Sequence, residues 1–70
     1  MLGLKIKAYM EEKGIKQTFL SEKTGMGLTT INAILNGGRK IEAVEYFEIC
    51  KALEKPLDFF FLEEKQTHVR

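Results

Sequence analysis

Tryptophan is absent from this chain of 70 residues, proline and cysteine occur once each, and histidine once. A lone Cys50 cannot close an intrachain disulfide, and with His68 the only histidine there is no set of zinc ligands. No cofactor is expected, and a reducing compartment, the cytoplasm, suits the composition best. No apolar run approaches the roughly 18 residues of a membrane span, and the first residues lack the apolar region of a signal peptide. An excess of one charge is missing too: 11 Lys and Arg against 10 Asp and Glu leave a net charge of +1, so bulk electrostatics argues for no polyanionic partner. Catalytic groupings are equally absent. There is no nucleophile beside a base, no carboxylate dyad and no phosphate loop, since "GMG" and "NGG" read as turns, and no enzymatic activity is expected.

What is present has the balance of a soluble globular domain, with 44% hydrophobic and 30% charged residues. Seventy residues make one domain near the lower limit for a self-sufficient core, so either the packing is economical or a partner helps. The charges are unevenly spread: Lys5, Lys7, Lys13 and Lys16 lie early, Arg39 and Lys40 lie mid-chain, and Glu42, Glu45 and Glu48 crowd a later segment, which predicts a basic and an acidic side. Apolar spacing predicts helices over 4–13 (Leu4, Ile6, Tyr9, Met10), 17–24 (Phe19, Leu20), about 28–36 (Leu28, Ile31, Ile34, Leu35) and 42–54 (Val44, Phe47, Ile49, Cys50, Leu53). Gly14, Gly25 and Asn36-Gly37-Gly38 stop the first three. Pro56 breaks the fourth and can open a fifth over "LDFFFLEE", burying Leu57, Phe60 and Phe61. No segment alternates as a strand does, so the expected fold is all-α, a compact bundle of five short helices. It forms one domain over 1–70 with its core at about 4–62 and a frayed tail at 63–70.

The second and third helices are joined only by "GMG", a link that suits a sharp helix-turn-helix. Gly25 lets the backbone turn, Met26 plugs the inside of the corner, and Leu20, Ile31 and Ile34 hold the helices together. The opposite face of the third helix, with Leu28, Thr29, Asn32, Ala33 and Asn36, stays free. Over about residues 4–62 the chain resembles the Cro/C1-type, or XRE-family, helix-turn-helix transcriptional regulators, which include the phage repressors and share the lambda-repressor-like fold. The strongest portion is "QTFLSEKTGMGLTTINAILNG", and "FEICKALEKPLDFFF" is similar to the family's fourth and fifth helices.

That resemblance implies a double-stranded DNA operator as partner, with the third helix in the major groove and the second lying across the backbone. Leu28, Thr29, Asn32 and Ala33 would face base edges. Gln17, Asn36, Arg39 and Lys40 would bind the sugar-phosphate backbone. It also implies a homodimer, formed near the fifth helix through Leu57, Phe59, Phe60 and Phe61. Several positions depart from the family pattern. Gly27 stands where a Ser or Thr cap is common, Ser21 where Ala is usual, and Thr24 where an aliphatic residue is usual. Met10 and Leu35 replace an Arg and a Glu that many members pair, and the joint loss of both charges supports the alignment, because losing one alone would strand the other.

Several features admit a plainer reading. Arg39 and Lys40 can be solvated loop charges, Lys7 and Lys16 surface solubility, and Cys50 a buried inert thiol in place of a redox sensor. His68 is expected to be solvated. Three consecutive aromatics at 59–61 cannot all face one core, so Phe60 is the core candidate while Phe59 or Phe61 is exposed for self-association, unless the tail covers them. Leu28 can touch a thymine methyl but cannot donate a hydrogen bond to guanine. The leading expectation is a bacterial or prophage repressor. A chain of this size holds no sensor domain, so its control would lie in concentration, dimerisation or an antagonist protein. The alternative is a protein-interaction module of the same fold, antitoxin-like or antirepressor-like, with weak DNA binding.

Overall fold

The first helix begins two residues earlier than its apolar spacing predicts. α1 spans Leu2–Lys13, α2 Gln17–Thr24, α3 Leu28–Leu35 and α4 Ala43–Leu53. A further helical stretch starts at Phe59 and reaches the last described residue, Phe61, after a turn at 57–58. The computed structural model describes residues 2–61. The expected tail at 63–70, with His68, and the far half of the fifth helix lie outside the described residues. Among those described there is no strand, and no helix is long and apolar enough to cross a membrane.

Each helix ends for a local reason. At Gly25 the backbone is left-handed (φ 78°), a conformation that costs a residue with a Cβ roughly 1–2 kcal/mol, and its N–H closes α2 on the Ser21 carbonyl at 2.9 Å. α4 ends by the same reversal, but with Glu54 at φ 59°. The Glu54 and Lys55 N–H groups return to the Lys51 and Cys50 carbonyls at 3.1 and 3.0 Å. The start of α4 is secured by Glu45, whose carboxylate accepts the Glu42 N–H at 3.0 Å.

The core draws on every helix: Ile6 and Met10 from α1, Leu20 from α2, Ile31 and Leu35 from α3, Tyr46, Ile49, Cys50 and Leu53 from α4, and Phe60 beyond it. α2 packs on α3 and α4, and α1 packs on α3. Met10 and Leu35 are both buried in this one cluster, so no stranded charge results from the loss of the family's ion pair. The α1–α3 approach is closer than side chains allow. A Cβ placed on Gly3 would sit 2.1 Å from the Ile34 carbonyl oxygen, so the glycine is what lets the two backbones meet.

Five apolar assignments are corrected. Val44 (73% exposed) and Phe47 (47%) leave the core, and Tyr46 takes their place. Tyr46, Ile49, Cys50 and Leu53 stand at spacings of three, four and seven and form one face. A face centred on Val44 and Phe47 would continue through Lys51 and Glu54 and would bury charge. Leu57 and Phe61, expected inside the fifth helix, are exposed because the chain makes a turn at 57–58 before becoming helical again. Leu4 is exposed as well, since α1 turns Gly3, Ile6 and Met10 inward.

Candidate nucleic-acid interface

The corner between α2 and α3 is tied by side chains. The Ser21 hydroxyl donates to the Met26 carbonyl at 2.6 Å, the Met26 N–H donates to Thr24 Oγ1 at 3.1 Å, and that hydroxyl donates to the Leu20 carbonyl at 2.8 Å. Both polar groups of the Met26 backbone are thus held, while its side chain packs on the core. Ser21 and Thr24, the two departures from the family pattern in α2, are the residues that lock the turn. An alanine and an aliphatic residue would offer no hydrogen bond there.

Beyond the corner, α3 turns Ile31, Ile34 and Leu35 inward. Leu28, Thr29, Asn32 and Asn36 are exposed on the outside and Ala33 is half-buried, so the residues expected to face bases share one side of α3. Gly27 begins α3 without a side-chain cap, and its carbonyl accepts the Ile31 N–H at 3.0 Å.

A chain of hydrogen bonds crosses this surface. Asn32 Nδ2 donates to Gln17 Oε1 at 3.2 Å, Asn36 Nδ2 donates to both the carbonyl and Oδ1 of Asn32 at 2.9 and 3.0 Å, and Lys7 Nζ donates to Asn36 Oδ1 at 2.9 Å. Three helices meet in it. Gln17 uses its carbonyl oxygen here, so its NH2 group remains for another acceptor, whereas Asn36 has no amide hydrogen left over. Sequence reasoning set Lys7 aside as surface charge. Its partner lies 29 residues away, and no local pattern signals such a contact.

Arg39 and Lys40 follow α3 on the surface and differ in circumstance. Arg39 Nη1 and Nη2 each donate to Glu45 at 2.8 Å, a bidentate pair that raises the guanidinium pKa and lowers that of Glu45; the hydrogen bond between them is the main cause of both shifts. Lys40 is exposed. Beyond α4, Phe60 is 2% exposed and Phe59 is half-buried, its ring edge-on to Tyr9 at 5.3 Å. Of the expected dimer contacts, only Leu57 and Phe61 therefore reach the surface. Both are anchored beside α4 by Tyr46, whose hydroxyl donates to the Leu57 carbonyl and whose ring meets Phe61 at 5.7 Å. Burial raises the pKa of the Tyr46 hydroxyl and that of the Cys50 thiol, which leaves the thiol a poor nucleophile.

Two short helices locked across a three-residue corner, with a free polar face on the second, are the parts of a DNA-binding helix-turn-helix domain. A family model described as helix-turn-helix matches residues 6–60, and the chain belongs to that family, the DNA-binding regulators of Cro/C1, or XRE, type. Among curated proteins and among solved structures there is no match.

Proposed function

We propose that the protein is a sequence-specific transcriptional repressor of bacterial or prophage type that occupies an operator as a symmetric dimer. In this reading α3 enters the major groove and Leu28, Thr29, Asn32 and Ala33 meet base edges. Gln17, with its free NH2 group at the uncapped start of α2, and the exposed Lys40 hold phosphates. Arg39 joins them through guanidinium N–H groups that Glu45 does not use, and Asn36 serves the interface mainly through Asn32. The observation that carries the reading is the outward face of α3, which no other described element covers.

The dimer face proposed here is Leu57 and Phe61, with Val44 and Phe47 as further exposed apolar positions on the neighbouring helix. An antagonist protein that masks either face would relieve repression. The protein-interaction alternative draws its support from the exposed Val44 and Phe47 and from the small net charge.

Selection from randomised duplexes tests the proposal. A repressor enriches a symmetric site; Thr29→Ala and Asn32→Ala then change preference at single positions by about 1–3 kcal/mol, whereas Lys40→Ala weakens all duplexes alike and flattens the salt dependence. Enrichment of no sequence, or the same response from both groups of variants, contradicts it.

A further inference from the structure

Resting on the base-reading role proposed for α3, we propose that Lys7 is a specificity-positioning residue: through Asn36 it fixes which way the Asn32 amide faces and thereby makes α3 select an adenine. A lysine ammonium donates only, so the atom of Asn36 facing Lys7 Nζ at 2.9 Å must be the amide oxygen. The Asn36 NH2 group then points at Asn32, and both of its hydrogens are spent on the Asn32 carbonyl and Oδ1. With Oδ1 held on that side, Asn32 Nδ2 faces Gln17 Oε1. Lys7, which only donates, and the Asn32 carbonyl, which only accepts, thus hold the Asn36 amide in one orientation from its two sides, and Asn36 sets the two amides beyond it.

The valences left on Asn32 determine what it can read. Its amide has two hydrogens and two lone pairs; Gln17 takes one hydrogen and Asn36 one lone pair, leaving one donor and one acceptor side by side. The major-groove edge of adenine presents the complement, an N7 acceptor beside an N6 donor, whereas guanine presents two acceptors there and would need two donors. If Asn36 is no longer held by Lys7 and swings away, the Asn32 amide can turn over, its donor and acceptor exchange places, and the adenine edge is no longer matched. Lys7 touches no base in this scheme and acts through Asn36.

The test uses the chain of 70 residues and base-resolved affinities. For wild type, one adenine in each half-site is preferred over the other bases by about tenfold, and Asn32→Ala abolishes that preference and so identifies the position. Lys7→Met is expected to reduce the ratio at that position to about twofold or less, with the other positions unchanged, while Lys7→Arg, which also donates only, retains it. Asn36→Asp accepts from Lys7 but cannot donate to Asn32, so it loses the same adenine preference by a second route, on top of a uniform weakening from its added negative charge, and thermal melting confirms that each variant is folded. If Lys7→Met weakens all duplexes equally and the adenine ratio stays intact, Lys7 is a phosphate contact and the inference is overturned. A base other than adenine at the position read by Asn32 overturns it as well. A wild-type protein that enriches nothing refutes the DNA-reading role itself, a distinct outcome.

Discussion

Gly3→Ala sets two ordinary effects against each other, and the structure fixes which one wins. In an exposed helix interior, alanine stabilises by about 0.8–1 kcal/mol over glycine. At Gly3 the new methyl would lie 2.1 Å from the Ile34 carbonyl oxygen, against the 3.4 Å at which ordinary contact begins, so the α1 and α3 backbones must part by about 1.3 Å or the first turn of α1 must unwind. Parting them loosens the packing of Ile6 and Ile34, and unwinding forfeits the contact of Leu2 with the core. Overpacking of this kind costs about 1–3 kcal/mol, and a displacement of backbone against backbone by this much belongs in the upper part of that range, above the propensity gain. A net loss of about 1–2 kcal/mol is expected, lowering Tm by about 4–16 °C for a domain of this size. Urea titration followed by far-ultraviolet circular dichroism, with a thermal melt alongside, measures it. An alanine variant as stable as the wild type, or more stable, would refute the close approach of α1 to α3.

Other perturbations probe separate parts of the structure. Glu54→Gly relieves a left-handed residue that carries a Cβ; after allowance for the greater freedom of unfolded glycine, calorimetry should record a gain of about 0.5–1 kcal/mol, and a loss would mean that the end of α4 is held otherwise. Ser21→Ala should cost about 0.5–1.5 kcal/mol through the lost bond to the Met26 carbonyl, and its effect should not add to that of Thr24→Val, since the two side chains hold the two backbone polar groups of one residue, Met26; simple additivity in a double-mutant cycle would argue against the shared lock. Glu45→Gln frees the Arg39 charge, so affinity for any duplex should rise and the logarithmic salt slope steepen by up to about one unit. The same substitution tests acid stability. The Glu45 pKa is lowered by folding, so its contribution is complete above the ordinary value of 4.5 and is lost as the pH falls through the depressed one. The glutamine variant should lack that part of the acid loss, and identical pH profiles would exclude it.

Much of this arrangement was legible along the chain because it is local. Gly25 and the three- and four-residue spacing of Ile31, Ile34 and Leu35 determine the corner and the inward side of α3, and with them the outward side. The rotational phase of α4 was misjudged even though its signal was present. Apolar residues stand on nearly every side of that helix, and only the positions of Lys51 and Glu54 reveal that Tyr46, not Val44 or Phe47, turns inward. Two features had no local signal. Gly3 matters because of a carbonyl 31 residues away, and Lys7 because of an amide 29 residues away. Ser21 and Thr24, which weakened the resemblance when judged by residue type, turn out to hold the corner by which the resemblance is recognised.

The central claim is that the outward face of α3 reads DNA. Amide resonances followed by NMR during titration with a selected duplex, beside a scrambled one, test it most directly. The selected duplex is expected to shift Gln17 and the residues from Leu28 to Asn36, with little change at Val44 or Phe47. Equal shifts with both duplexes, or shifts centred on Val44 and Phe47 with α3 unmoved, would contradict it.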